Sequence, residues 1–228
     1  LYDFAKSCDH NTGSISLYGQ TAMQESMSKD FSYCHPFEQV YFKYGLMKAQ
    51  EWRERSGKQR REDWDEVIQS LASLPQSEGI YTAGIPTQPF IIADSASQNA
   101  GNVAFDPFNY GGDTGKKQLA EEEFKLKCRS DHPAVLGACG LLPDCGLYDR
   151  AMMQRTLDWV MQNWNWDTTW GWDYGMTAKC AARLGDGENA VKALLIDKGK
   201  NTYLVSGHNY QEPKRLRLYL PGNGALLD

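Results

Sequence analysis

The chain has 228 residues, and its 24 Lys and Arg against 29 Asp and Glu give a net charge of −5. Hydrophobic residues make up 41% and charged residues 23%, which is typical of a globular protein and excludes a disordered one. The mean hydropathy is −0.58, and no apolar run approaches the roughly 20 residues of a membrane span. We therefore expect no membrane partner, and because the balance of charge is acidic, we expect no nucleic-acid partner.

The two ends predict that this sequence is a segment of a longer polypeptide. It starts at Leu1 without an initiator Met, and Gly224 to Asp228 resemble a helix that has just begun. We therefore expect one partial domain over residues 1–228, with the periplasm or secretion favoured over the cytoplasm. The six cysteines form no CxxC pair, which favours buried free thiols over disulfides or a metal site.

Apolar residues with helical spacing predict helices in most of the chain. A helical hairpin is expected early, with one helix that opens at Pro36 and a second that begins near Glu62 and ends at Pro75. The expected apolar positions are Phe37, Val40, Tyr41, Tyr44 and Met47 in the first helix and Trp64, Val67, Ile68 and Leu71 in the second. Later helices are expected over residues 134–142, after a capping Asp149, and over residues 174–184 and 188–196.

The regions between the predicted helices are long and polar. Residues 1–34 are typical of a loop, and residues 76–130 are rich in Gly, Pro and Asn, which predicts a long loop region inside the domain. Residues 201–220 are expected to be irregular. Paired helices joined by long loops predict an all-α fold that is part of an α/α toroid, with its working face at one end.

Residues 164–174 hold the densest group of aromatic side chains. Five of the seven tryptophans lie between Trp159 and Trp172. Trp159 is expected in the core or at an interface, because it lies on the apolar face of a predicted helix. Trp170 and Trp172 lie in a glycine-containing loop beside Asp173, where flat rings suit stacking on the C–H faces of a sugar.

Two carboxylates stand at predicted helix starts, where an acid either stabilises the helix or performs chemistry. Asp173 is either a helix cap or a catalytic or sugar-binding acid, and Glu38 either complements the helix dipole or projects into a cleft. Further hydrogen-bonding residues in loops are Asp131, His132, His208, Asn209 and Gln211. The sequence contains no Ser-His-Asp pattern, phosphate-binding glycine loop or HExxH zinc motif.

Several motifs follow one another in a fixed order. They are Pro36-Phe-Glu-Gln-Val-Tyr-Phe-Lys-Tyr-Gly-Leu, Asp131-His-Pro-Ala-Val-Leu-Gly-Ala, Trp170-Gly-Trp-Asp-Tyr-Gly-Met-Thr-Ala, Gly207-His-Asn-Tyr-Gln and Leu218-Tyr-Leu-Pro-Gly-Asn-Gly. Together they resemble the C-terminal part of the catalytic domain of bacterial six-hairpin glycosidases, grouped with or near glycoside hydrolase family 65. The resemblance covers residues 31–90 and 130–228, and it departs at Gly175, where Pro is expected, and over residues 91–128.

The resemblance implies an enzyme that cleaves a glycosidic bond in an oligo- or polysaccharide by inversion, without a cofactor or a metal. Inversion requires an acid and a base about 6.5–9.5 Å apart. The resemblance implies Glu38 as the general acid and Asp173 as the second carboxylate, either as base or as sugar ligand. It also implies that the substrate-binding residues are Trp170, Trp172, Asp131, His132, His208, Asn209 and Gln211.

Three alternatives stay open. A phosphorylase of the same fold would replace the attacking water by phosphate, for which Lys214, Arg215 and Arg217 are a candidate anion site. A non-catalytic carbohydrate-binding module would keep the tryptophans without paired acids, and a helical scaffold would leave the Trp-rich loop unexplained. Substitution of Glu38 and Asp173 separates an enzyme from a binding module, and phosphate dependence separates the two enzymes.

Overall fold

A computed structural model describes Ile15, Leu17 and residues 32–83, 85–86, 129–211, 216 and 218–227. These residues are mostly helical, in agreement with the predicted all-α class. The α-helices of this part of the chain are α1 (Pro36–Arg55), α2 (Glu62–Ser70), α3 (Gly137–Gly140), α4 (Arg150–Asn163), α5 (Gly171–Leu184), α6 (Gly187–Leu194) and α7 (Leu220–Leu227). Two 3₁₀ turns, Ala134–Leu136 and Gly199–Asn201, precede α3 and follow α6.

The strands are short and pair as antiparallel ribbons of two residues each. The pairs are β1 (Ser32–Tyr33) with β4 (Ile85–Pro86), β2 (Gln76–Ser77) with β3 (Ile80–Tyr81), and β5 (Thr202–Tyr203) with β6 (Asn209–Tyr210). In the last pair Thr202 stands opposite Tyr210. Part of the segment predicted to be irregular after residue 200 is therefore a hairpin.

Helix α1 packs by a face that differs from the predicted apolar stripe. Val40 is buried as expected, but Tyr41 and Met47 are 47% and 38% exposed. The buried residues are Pro36, Glu38, Gln39, Val40, Phe42, Leu46 and Gln50. Polar residues thus occupy part of the buried face. Gln50, for example, bonds both backbone groups of Arg61, at 2.7 Å to the carbonyl and 3.1 Å from the N–H.

The predicted packing of α2 is confirmed. The predicted end at Pro75 is wrong, since the backbone of Leu71 is no longer helical (φ −60°, ψ 133°) and the helix ends at Ser70. Val67 is buried in α2, and Leu71 is buried just after the helix. Trp64 and Ile68 pack against the same apolar cluster, which also contains Phe42 and Leu46 of α1 with Ile15 and Leu17. The two helices therefore form the expected hairpin around a core of their own.

Helix α5 lies at the centre of a larger core. It contacts α3, α4, α6 and α7, and nine of its fourteen residues are buried. Gly175 makes part of this packing possible, because a Cβ there would lie 2.8 Å from the carbonyl oxygen of Ala225 in α7. The glycine found where the resemblance predicts proline is thus a contact point between two helices.

Helix α4 begins and packs partly as predicted. Asp149 caps it, accepting a hydrogen bond from the N–H of Met152 at 2.7 Å. Trp159 does not lie in the core, since it is 36% exposed, and its expected place at an interface stays a prediction. The core face of α4 is turned away from it, towards Leu157 and Val160, which are at most 1% exposed.

Several sequence predictions concern residues outside the described part of the chain. They include most of residues 1–34, residues 87–128 of the predicted loop region, Cys8, Cys128 and the basic residues Lys214, Arg215 and Arg217. Of the described cysteines, Cys139, Cys145 and Cys180 are free thiols and are buried, as predicted, and Cys34 is also buried. Among the helices of the described ranges, none combines the length and apolarity that a membrane crossing requires.

Candidate active site

The first turn of α5 holds a fully buried carboxylate. The helix starts at Gly171, so Asp173 is its third residue and not its cap, and Trp170 is the cap residue. Asp173 is 0% exposed. Its Oδ2 accepts the N–H of Trp170 at 2.7 Å, which satisfies one of the backbone donors that every helix start leaves open.

The imidazole of His132 is the main partner of this carboxylate. Its Nδ1 lies 3.0 Å from Oδ1 and 2.9 Å from Oδ2 of Asp173. Its Nε2 lies 3.6 Å from Oδ1 of Asp131. The ring also packs against Trp172, with centroids 4.4 Å apart. The fold thus brings together four predicted site residues, of which the polar three are called here the Asp131–His132–Asp173 cluster.

Burial raises the pKa of the Asp173 carboxyl, because an ionised carboxylate loses its hydration inside the protein. The hydrogen bond and charge of His132 oppose this effect, as does the Trp170 N–H, while the charge of Asp131 adds to it. Asp173 therefore keeps its proton to a higher pH than an ordinary aspartate. When it is ionised, it is only an acceptor, so Nδ1 of His132 must carry the proton between them.

Asp131 is held in a left-handed backbone conformation, with φ of 66°. Such a conformation is uncommon for a residue other than glycine and has to be maintained by its surroundings. Here the Asp131 N–H donates to Oγ1 of Thr168 at 2.7 Å, and its carbonyl accepts the indole N–H of Trp164 at 2.8 Å. The loop that contains the Trp-rich segment thereby fixes the direction of the Asp131–His132 pair.

Trp170 belongs to a second aromatic contact. Its ring lies 5.6 Å from that of Tyr219, and Nζ of Lys200 lies 4.7 Å from the Trp170 ring centre. Lys200 is buried and donates to the carbonyl of Thr168 at 3.5 Å. Sequence reasoning did not single out this lysine, because its place above an indole depends on the 3₁₀ turn that precedes β5.

Asn209 and Gln211 lie behind the start of α5, and both are 0% exposed. Asn209 donates to the carbonyls of Lys200 and Thr202 at 3.2 and 3.1 Å. Gln211 donates to the carbonyl of Lys200 at 2.9 Å and accepts the N–H of Gly171 at 3.2 Å. Their amides therefore support the backbone around the site. The predicted contact of these two residues with a sugar stays a prediction.

His208 lies apart from these contacts, on the turn between β5 and β6. Its Nδ1 is 3.1 Å from Oγ of Ser206 within the same turn. The side chain is only partly buried. Its predicted contact with substrate also stays a prediction.

Glu38 lies in the first turn of α1 and is 4% exposed. Its neighbour Phe37 packs on a small apolar cluster formed by Ala134 and Met176, and Trp172 packs on the same cluster. The residues next to the two predicted acids therefore share one cluster. This arrangement is compatible with a common site at the starts of α1 and α5.

No group of three or more His, Cys, Asp or Glu side chains in the described ranges is arranged to hold a metal ion. Comparisons of this chain with protein-family models, with curated proteins and with solved structures found no match. A function must therefore be argued from the chemistry of the site.

Proposed function

We propose that this chain is part of a glycoside hydrolase that cleaves an oligo- or polysaccharide by inversion, with Glu38 and Asp173 as its paired acids. The observation that carries the proposal is the buried contact between Asp173 and His132, directly beside the half-buried ring of Trp172. Proton-transfer groups next to an aromatic face are what hydrolysis of a sugar needs. On this proposal the helices form an arc of an α/α toroid.

The electrostatics of the site support proton transfer. A catalytic carboxyl works best when its pKa is moved towards the working pH, and burial moves the pKa of Asp173 in that direction. Glu38 is nearly as buried, with 4% of its surface exposed. In an inverting reaction Glu38 would protonate the leaving oxygen, while the Asp173 side of the site activates water.

The aromatic residues supply the binding surface of the proposal. Trp172 provides a ring at the site itself. Trp170 provides a second ring, and the ammonium group of Lys200 lies over one face of it. The ring faces suit the apolar C–H side of a pyranose, and neighbouring polar groups suit its hydroxyls. The proposed ligand is therefore a carbohydrate, bound without a metal or cofactor.

The test uses the full polypeptide that carries this sequence, with 4-nitrophenyl glycosides and disaccharides of both anomeric series as substrates. Hydrolysis is expected for at least one substrate, and NMR of the first product should show the inverted anomer. Glu38→Gln and Asp173→Asn should each lower kcat/KM by about 10²- to 10⁴-fold. Two controls remove exposed acids and should keep activity: Glu54→Gln at the opposite end of α1 from Glu38, and Asp167→Asn in the Trp-rich loop.

The alternatives give different results in the same assays. Cleavage that requires added inorganic phosphate and releases a sugar phosphate would replace the hydrolase by a phosphorylase. Calorimetric binding of an oligosaccharide without cleavage, unchanged in the two acid variants, would indicate a binding module. Neither binding nor cleavage across the panel would contradict the proposed function.

A further inference from the structure

We infer that His132, positioned by Asp173, is the catalytic residue that accepts the proton of the attacking water. This inference rests on the proposed function, and it changes the role of Asp173 from base to positioning residue. The second of the two proposed acids is then replaced by an Asp–His pair, in which an imidazole nitrogen faces the substrate.

The carboxylate of Asp173 is buried beneath the imidazole of His132. The residue is 0% exposed, both of its oxygens lie within 3.0 Å of Nδ1 of His132, and Oδ2 also accepts the Trp170 N–H. A substrate water has no access to such a carboxylate. Any proton that the carboxylate helps to move has to pass through the imidazole that covers it.

The second nitrogen of the His132 imidazole, Nε2, faces away from Asp173. With Nδ1–H donated to an ionised Asp173, the neutral ring carries its lone pair on Nε2. Nε2 lies on the side of Asp131, 3.6 Å from its Oδ1. The exposed fraction of the side chains rises along this line, from 0% for Asp173 to 9% for His132 and 16% for Asp131. The basic nitrogen is therefore turned away from the core.

The imidazole ring of His132 is held on two sides. Trp172 packs against His132 with an angle of 33° between the rings, and Trp172 precedes Asp173 in the first turn of α5. Since α5 is enclosed by other helices, its first turn holds both the carboxylate and the packing surface in place. A fixed base needs no reorganisation when the reaction begins.

The chemical step balances with groups of this chain and one water. The water oxygen bonds to the anomeric carbon while one of its protons passes to Nε2 of His132. The bond from that carbon to the glycosidic oxygen breaks, and the leaving oxygen takes a proton from Glu38. His132 is then a cation between the carboxylates of Asp173 and Asp131, which stabilise it. It returns a proton to solvent, Glu38 regains one, and the sum is the addition of one water.

Two substitutions of His132 separate catalysis from structure. In His132→Asn the side-chain amide stands in for Nδ1 and can donate to Asp173, but no atom replaces Nε2. We expect a protein that melts close to wild type and loses about 10²- to 10⁴-fold in kcat/KM on its best 4-nitrophenyl glycoside. His132→Gln serves as the partner variant, with an amide near Nε2 that cannot accept a proton, and should be equally inactive. An active His132→Asn enzyme would overturn the inference.

Glycosyl fluorides separate the base from the acid, because fluoride leaves with little help from a proton donor. Glu38→Gln should hydrolyse the matching glycosyl fluoride at a rate within about tenfold of wild type. His132→Asn and Asp173→Asn should lose the same activity by about 10²-fold or more. Loss in Asp131→Asn together with retained activity in His132→Asn would assign the base to Asp131 and overturn the inference.

A readout without substrate tests the positioning role of Asp173. In ¹⁵N NMR spectra of the neutral imidazole, His132 should be protonated on Nδ1 in the wild type and lose that preference in Asp173→Asn. Protonation on Nε2 in the wild type would overturn the inference and leave the proposed function standing. No hydrolysis of any glycoside or fluoride by the wild type would overturn both, even if the tautomer is as expected.

Discussion

Helices α1 and α5 both carry a predicted acid in the first turn, but their surroundings differ. Helix α5 buries nine of its fourteen residues, whereas α1 buries seven of its twenty. Helix α1 leaves large side chains in solvent, among them Trp52, which is 65% exposed. One helix is thus enclosed by its neighbours, and the other packs by one side only.

This difference explains why Asp173 has fixed partners. An enclosed helix cannot turn or shift without disturbing several contacts, so polar groups in its first turn meet the same partners at all times. The close approach of α7 at Gly175 adds to this constraint. A helix packed on one side has more freedom, and its buried face tolerates amides such as Gln39 and Gln50.

The largest expected contrast comes from the same substitution in both helices. Met176 of α5 is 0% exposed, and Met176→Ala should lower the free energy of unfolding by about 2–5 kcal/mol, because it removes buried contacts and leaves a cavity. Met47 of α1 is 38% exposed, and Met47→Ala should change the free energy of unfolding by only about 0.5 kcal/mol. Urea unfolding at fixed pH measures both, and equal losses would contradict the contrast.

The residue that precedes α1 should make the protein sensitive to acid. Burial lowers the pKa of His35 from 6.5 to about 4, against a smaller opposing effect of a backbone hydrogen bond with Ala83. As the pH falls from 6.5 to 4, the unfolded chain binds a proton that the folded chain does not, so stability falls. Each unit of pKa difference corresponds to about 1.4 kcal/mol, so the loss in the free energy of unfolding reaches roughly 3 kcal/mol.

His35→Gln should remove this part of the acid sensitivity, which unfolding curves at several pH values would show. His208→Gln, on the partly exposed β5–β6 turn, is the matched control and should keep the wild-type dependence. If the His35 variant loses as much stability in acid as the wild type, the sensitivity arises elsewhere.

The contact between α5 and α7 should be sensitive to a single methyl group. A Cβ at position 175 would lie 2.8 to 2.9 Å from backbone atoms of Ala225, so Gly175→Ala forces the helices apart. We expect a loss of about 1–3 kcal/mol in stability. Gly187→Ala, at the start of α6, meets no atom within 4 Å and should be neutral or stabilising. A stabilised Gly175→Ala protein would show that the two helices do not touch there.

The smallest expected effect is the pH dependence of stability that Asp173 causes at the start of α5. Its sign should be opposite to that of the effect of His35. Burial raises the pKa of Asp173, so the folded state holds its proton over a range where the unfolded state has lost it. Stability therefore falls as the pH rises through this range. Asp173→Asn lacks the effect, so the stability of the variant relative to wild type should increase from low to neutral pH. The reverse trend would mean that His132 stabilises the carboxylate more than burial disfavours it.

Much of the secondary structure could be predicted from local signals. The Asp149 cap, the start of α1 at Pro36 and the apolar face of α2 follow from rules that involve residues within a few positions. The face of α1 could not be predicted in this way. Gln39 is buried, and its amide donates to the carbonyl of Ile15 at 3.5 Å, a contact with a residue 24 positions earlier in the chain.

The candidate site was predictable as a set of residues and not as an arrangement. Asp131, His132, Trp172 and Asp173 all stand out as polar or aromatic residues at helix starts. Nothing in their spacing shows that His132 bonds Asp173, which lies 41 residues further on. The sequence also does not show that Asn209 and Gln211 are buried and that their amides hydrogen-bond the backbone around the start of α5.

By itself, the sequence of this protein determined where most helices begin, because capping and helical periodicity act over three or four residues. It also determined which side chains were candidates for proton transfer. Only the tertiary structure decided which candidate is buried, which way the His132 ring faces and which helix is enclosed. Those properties depend on contacts between distant segments, whose packing sets the desolvation and hydrogen bonding of each group.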